Sequence, residues 1–126
     1  MVKVKDMMKT DIVSVQDSAP AMEAAVVMME NRVSSVVVKN GEETIGIITD
    51  KDFVHLASLG GNPRGVTSHM STDLVTIAPG ADLKEALDLM KEKDVRHLLV
   101  KEEGKIIGIL STKDINHSLA SILASI

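Results

Sequence analysis

Two short constellations in this chain place a carboxylate three residues after a hydroxyl: Thr49 with Asp52, and Ser111 with Asp114. Each hydroxyl follows a glycine by three residues, Gly46 in the first case and Gly108 in the second. Apolar runs precede both pairs and helix-forming sequence follows them, so each falls at a strand-to-helix junction. Two chemistries fit that placement. In one, the pair caps its own helix: the hydroxyl accepts from a first-turn amide and the acid answers the positive end of the dipole. In the other, free amides and a hydroxyl at a helix N-terminus receive phosphate oxygens, and the acid accepts from neighbouring hydroxyls of a ribose. The glycines would then mark places where backbone comes close to something flat or bulky.

The elements that carry these residues are legible from periodicity. Asp11-Ile12-Val13-Ser14-Val15 alternates as a short strand does. Asp17 and Ser18 are candidate N-caps, Pro20 suits a first helical turn, and Met22, Ala25, Val26 and Met29 give one face of a helix ending near Asn31. Ser35-Val36-Val37-Val38-Lys39 and Thr44-Ile45-Gly46-Ile47-Ile48 flank Asn40-Gly41, which predicts a β-hairpin. A second helix is predicted from Thr49 to about Leu59.

The same order recurs. Shifted by 62 positions, residues 8–53 lie over residues 70–115 without a gap, with 17 of 46 positions identical. The twin hairpin is Leu98-Leu99-Val100, a turn at Glu102-Glu103-Gly104, and Ile106-Ile107-Gly108-Ile109-Leu110, and its second helix begins at Ser111. Each copy is a β-α-β-β-α unit too small to build a strong core alone, so the expected fold is α/β (α+β), two units packed about a pseudo-twofold axis as one module. The divisions expected are residues 1–59, a linker at 60–65 rich in Gly, Asn and Pro, and residues 66–126 with a C-terminal helix bearing Ile115, Leu119, Ile122, Leu123 and Ile126. That linker follows a helix and lacks the Lys-Ser or Lys-Thr pair of a phosphate loop.

Composition narrows the function. A net charge of −4 lacks the basic excess that phosphate-backbone binding demands, which argues against nucleic acid. No apolar run reaches the roughly 18 residues of a membrane span, and Met1-Val2-Lys3-Val4-Lys5-Asp6 turns acidic before a signal core can form, so the expected location is cytoplasmic. With no Cys, thiolate metal sites and cysteine nucleophiles are excluded, and His55, His69 and His117 lack ligand spacing, so no metal site is expected. No Gly-x-Ser-x-Gly elbow and no His-Glu-x-x-His helix is present, and the expectation is a non-enzyme.

Twice over, the order β-α-β-β-α closes on Gly-apolar-apolar-Thr/Ser-x-x-Asp, and both copies open on Thr-Asp-x-Val (Thr10-Asp11-Ile12-Val13 and Thr72-Asp73-Leu74-Val75). In this the chain resembles a tandem of CBS domains, the regulatory Bateman module. The resemblance implies adenine nucleotides or related adenosyl ligands bound in clefts between the two units. Thr49 and Asp52 would serve one cleft, Ser111 and Asp114 the other, with the hydroxyl at phosphate or ribose and the acid at the ribose hydroxyls. Ile12, Val13, Leu74 and Val75 would border the base. The family often has a basic pair before the middle strand; the second copy keeps Arg96-His97 where the first has Ser34-Ser35. Arginine suits bidentate phosphate contact, so a phosphorylated ligand should prefer the cleft that receives Arg96 and His97. The family often has Pro where Val37 and Leu99 stand here. The implied function is a sensor binding AMP, ADP, ATP or an S-adenosylmethionine-like or dinucleotide ligand, with no required cofactor, acting as a homodimer on a regulated protein partner. The alternative is a structural dimerisation module whose clefts are vestigial.

Overall fold

Runs of Val, Ile and Leu broken by short polar turns make a hairpin the centre of each repeat, and the flanking amphipathic segments become helices that cover it. The computed structural model describes residues 2–124. In chain order its elements are α1 (Val4–Met7), β1 (Ser14–Gln16), α2 (Ala21–Asn31), β2 (Ser35–Asn40), β3 (Glu43–Thr49), α3 (Asp50–Ser58), β4 (Thr76–Ile77), α4 (Leu83–Lys93), β5 (His97–Glu102), β6 (Lys105–Ser111) and α5 (Thr112–Ala124), with a 3-10 turn at Val66–Ser68. The mixed α and β architecture expected of each repeat is present. Each forms a three-stranded sheet, in the order β1-β2-β3 or β4-β5-β6, whose first pair is parallel and second antiparallel. A helix makes the crossover between the parallel strands, as a parallel pair requires.

The predicted strand at 11–15 is realised only as Ser14–Gln16. The two hairpins turn differently. In the first only Gly41 has positive φ (62°), and Asn40 still pairs with Glu43 as the strand's last residue; in the second both Glu103 (49°) and Gly104 (79°) do. These are the II′ and I′ patterns, which match the right-handed twist of the strands.

The segments that complete each sheet come from a distance. Ile12–Leu74 forms one compact unit; the other joins Met1–Asp11 to Val75–Ile126. In the latter, Val4 donates its amide to the Ala81 carbonyl (2.9 Å), Leu83 donates to Val2 (3.0 Å), and Lys9 and Ile109 exchange both backbone bonds at 2.9 Å. In the former, Val66 donates to Ala19 (2.9 Å), Ala21 to Arg64 (2.8 Å), and Ile47 and Ser71 exchange bonds at 2.9 and 2.8 Å. These contacts correspond one for one at the 62-residue offset. They also move the helix starts. The residue before α2 is Pro20, in place of the expected Asp17 or Ser18, because the Arg64 carbonyl of the incoming segment already satisfies the Ala21 amide; before α4 it is Asp82.

Each unit has its own core. Val15, Ala24, Val36, Val38, Ile48 and Val66 are buried together in one; Val4, Ala86, Leu98, Val100, Leu110 and Ile115 in the other. Lys3 and Asp82 pair at 2.6 Å, and the ammonium holds the Asp82 carboxyl below its ordinary pKa. Of the C-terminal stripe, Ile115 is core, whereas Leu119 and Leu123 are exposed; Ile126 and the Ile122 side chain lie outside the described residues. Among the described residues no helix is long and apolar enough to cross a membrane.

Candidate functional site

Both hydroxyl–acid pairs sit where a strand hands over to a helix, and both cap that helix. At α3, Thr49 has extended backbone (φ −126°, ψ 169°), and Asp52 Oδ2 accepts from the Thr49 amide at 2.8 Å and from its hydroxyl at 3.3 Å. At α5, Asp114 Oδ2 accepts from the Ser111 hydroxyl at 2.8 Å and its amide at 3.3 Å, while the Asp114 amide donates back to Ser111 Oγ at 3.2 Å. Capping, one of the two readings open in the sequence, is therefore present in both pairs. It occupies one carboxylate oxygen of each acid and leaves the other outside the cap.

Those second oxygens differ. Asp114 Oδ1 pairs with Lys9 Nζ at 3.2 Å; the Asp114 side chain is 14% exposed and that of Lys9 49%. Asp52 Oδ1 makes no hydrogen bond or ion pair among the described residues. Lys9 was not among the residues singled out from sequence. A signal existed: Met8-Lys9-Thr10-Asp11 lies over Met70-Ser71-Thr72-Asp73, and position 9 is the one mismatch of the four.

The remaining predicted residues fall near these pairs by register. Ser35 faces Thr49 across the first hairpin, and His97 faces Ser111 across the second. The amide opening each helix is tied to the residue before the middle strand, Asp50 to the Ser34 carbonyl (3.0 Å) and Thr112 to that of Arg96 (3.1 Å). Val13 and Val75 accept from Val37 and Leu99 at 3.1 and 3.0 Å, each half-buried against its own unit's core. Ile12 and Leu74 are also half-buried, at the two ends of the unit they bound. An open groove along α4, lined by Thr76, Ala78, Asp82, Glu85 and Glu92, includes none of the predicted binding residues.

The glycines answer to packing within each unit. A Cβ on Gly108 would lie 2.6 Å from Met8 Sδ and 3.0 Å from the Lys9 carbonyl; at Gly46 it would overlap Met70 Sδ and come within 3.1 Å of the Ser71 carbonyl. The close, bulky neighbour inferred from sequence is a methionine and a backbone strand from the incoming segment.

Comparison with known proteins gives the family. The CBS domain model matches residues 4–58 and 66–121. CBS domain-containing protein YhcV of Bacillus subtilis is 29% identical over 134 residues, spanning all of this chain and 96% of its own length. Uncharacterized protein MK0525 of Methanopyrus kandleri is 36% identical over 119 residues, and the match spans 90% of this chain but only 61% of that protein. Among solved structures, an uncharacterized conserved protein from Pyrococcus horikoshii superposes with a TM-score of 0.88 at 30% identity, covering 94% of this chain and 92% of that one. The CBS domain pair of protein MJ0100, in complex with 5′-methylthioadenosine and S-adenosyl-L-methionine, superposes with a TM-score of 0.86 over 96% of this chain and 98% of that one; at 16% identity it shares the fold. The chain belongs to the CBS-domain family and carries two CBS domains in tandem.

Proposed function

We propose that this chain is a non-catalytic regulatory module whose occupancy by an adenosine-containing ligand, such as AMP, ADP, ATP or S-adenosylmethionine, is read by a protein partner. The observation that carries the reading is the division of labour on Asp52: Oδ2 is held by Thr49, and Oδ1 is left without a partner among the described residues. A half-buried carboxylate fixed by its cap but open on one oxygen is pre-organised to accept from a ribose hydroxyl. Ser111 and Asp114 repeat the cap, with Asp114 Oδ1 held by Lys9 in place of an open oxygen, and the bound methylthioadenosine and S-adenosylmethionine of the MJ0100 pair supply precedent for the ligand class. Ile12, Val13, Leu74 and Val75 border the base in this reading, and Arg96 with His97 favours a phosphorylated ligand. The ligand shifts the module only by its differential affinity for two states.

Calorimetry tests it. Replacing both acids, Asp52→Ala with Asp114→Ala, should weaken binding of AMP and methylthioadenosine by about 30-fold or more, the loss of roughly 2 kcal/mol of charge-assisted hydrogen bonding. Unchanged affinity, with a stability loss of about 1 kcal/mol, would reduce both acids to helix caps.

A second reading, a dimerising platform with vestigial sites, is favoured by one observation. Met22, Val26 and Met29 line one face of α2 and are 53%, 51% and 81% exposed. That apolar face serves a homodimer in either reading; a protein that dimerises yet binds no adenosyl compound would select the platform.

A further inference from the structure

The two hydroxyl–acid pairs are alike in sequence and unequal in electrostatics. Asp114 has both oxygens engaged, Oδ2 by Ser111 and Oδ1 by the Lys9 ammonium at 3.2 Å. The residue corresponding to Lys9 in the other repeat is Ser71, which carries no charge. Ser71 holds the same backbone place beside Ile47 that Lys9 holds beside Ile109. The difference is therefore confined to the side chain.

We propose that Lys9 is a specificity-determining residue that makes the two sites select ligands by charge. This rests on the adenosyl reading given above. A ribose hydroxyl approaching Asp114 Oδ1 has to displace an ammonium, whereas one approaching Asp52 Oδ1 displaces water. An uncharged nucleoside gives the displaced ammonium nothing in return. A nucleotide brings phosphate oxygens, which become the new partner of Lys9. The Asp52 site thus accepts uncharged nucleosides directly, and the Asp114 site favours anionic nucleotides over them. The effect is bounded by the strength of a partly exposed ion pair. With Asp114 largely shielded, it should amount to about a two- to fivefold change in nucleoside affinity.

The experiment is calorimetry of the full chain with adenosine and with AMP, in an Asp52→Ala background that leaves only the Asp114 site. Adding Lys9→Met should tighten adenosine about two- to fivefold and lower the ratio of AMP to adenosine affinity by at least about threefold. If Lys9→Met fails to fold by circular dichroism, Lys9→Ser, which copies the other repeat, takes its place. The reciprocal change, Ser71→Lys in an Asp114→Ala background, should weaken adenosine at the Asp52 site by a similar factor. An unchanged affinity ratio overturns the role of Lys9 while leaving the adenosyl reading standing. So does an Asp114 site that stays undetectable with and without the lysine when the wild-type chain binds. Absence of binding by the wild-type chain to either ligand overturns both.

Discussion

Replacing Gly108 by Ala should damage the unit that contains it, and the size of the damage follows from what the new methyl group meets. Its Cβ would stand 2.6 Å from Met8 Sδ and 3.0 Å from the Lys9 carbonyl oxygen. The thioether is near the end of a flexible chain and can swing aside. The carbonyl cannot, because it accepts from Ile109, and the Lys9 amide donates back to Ile109, both at 2.9 Å. Relief means moving that backbone pair. Overpacking of this kind costs about 1–3 kcal/mol, and stretching two neutral backbone bonds adds up to roughly 1 kcal/mol for each. Ala returns about 0.5–1 kcal/mol, since glycine is a poor strand residue. The net expectation is about 2 kcal/mol of destabilisation. Urea unfolding followed by far-ultraviolet circular dichroism suits a protein without Trp or Tyr. With a slope of about 1–2 kcal/mol per molar, the midpoint should fall by about 1–2 M. Gly80 supplies the control, since a Cβ there would meet nothing within 4 Å and its φ is not positive. Gly80→Ala should stay within about 0.5 kcal/mol. A midpoint for Gly108→Ala no lower than that of Gly80→Ala would refute the account of the incoming segment as a fixed neighbour.

Two further outcomes follow from the same structure. Deleting residues 1–11 removes Val4, which is fully buried, and every backbone bond made by Lys9; burial of one Val alone is worth about 1.5–3 kcal/mol. Hydrogen exchange should show amides of β5 and β6 losing protection while those of β2 and β3 keep theirs, and uniform protection would contradict the assignment of the segment. Arg32 ends α2 in the left-handed region at φ 55°, so Arg32→Gly should raise stability by about 0.5–1 kcal/mol, and a lower unfolding midpoint would contradict strain there.

What sequence revealed of this molecule was what its local spacing encodes. Thr49 with Asp52 and Ser111 with Asp114 are three apart, so their junctions and their capping chemistry could be read from neighbours alone. The hairpins were legible for the same reason, down to the glycines at their turns. Asp17 and Ser18 failed as caps because a carbonyl from Arg64, far along the chain, satisfied the Ala21 amide instead. Helix α1 was missed because four residues carry no periodicity. Lys9 was missed because its meaning depends on Asp114, which no window of contiguous sequence contains. The mismatch with Ser71 marked the position but not the partner.

The order in which this chain leaves the ribosome now has a structural meaning. Ile12–Leu74 contains the core residues and sheet partners of its own unit. Residues 2–11 precede that unit and lack their backbone partners until Pro79 and Ala81 have been made, and Lys9 waits longer still for Ile109. At about 5–20 residues per second that is a delay of several seconds, during which Val4, Met7 and Met8 lack the core they join in the folded chain. The unit that owns Lys9 and Asp114 is therefore completed after Ile12–Leu74, and the difference between the two sites comes into being only once β6 and the start of α5 have been made.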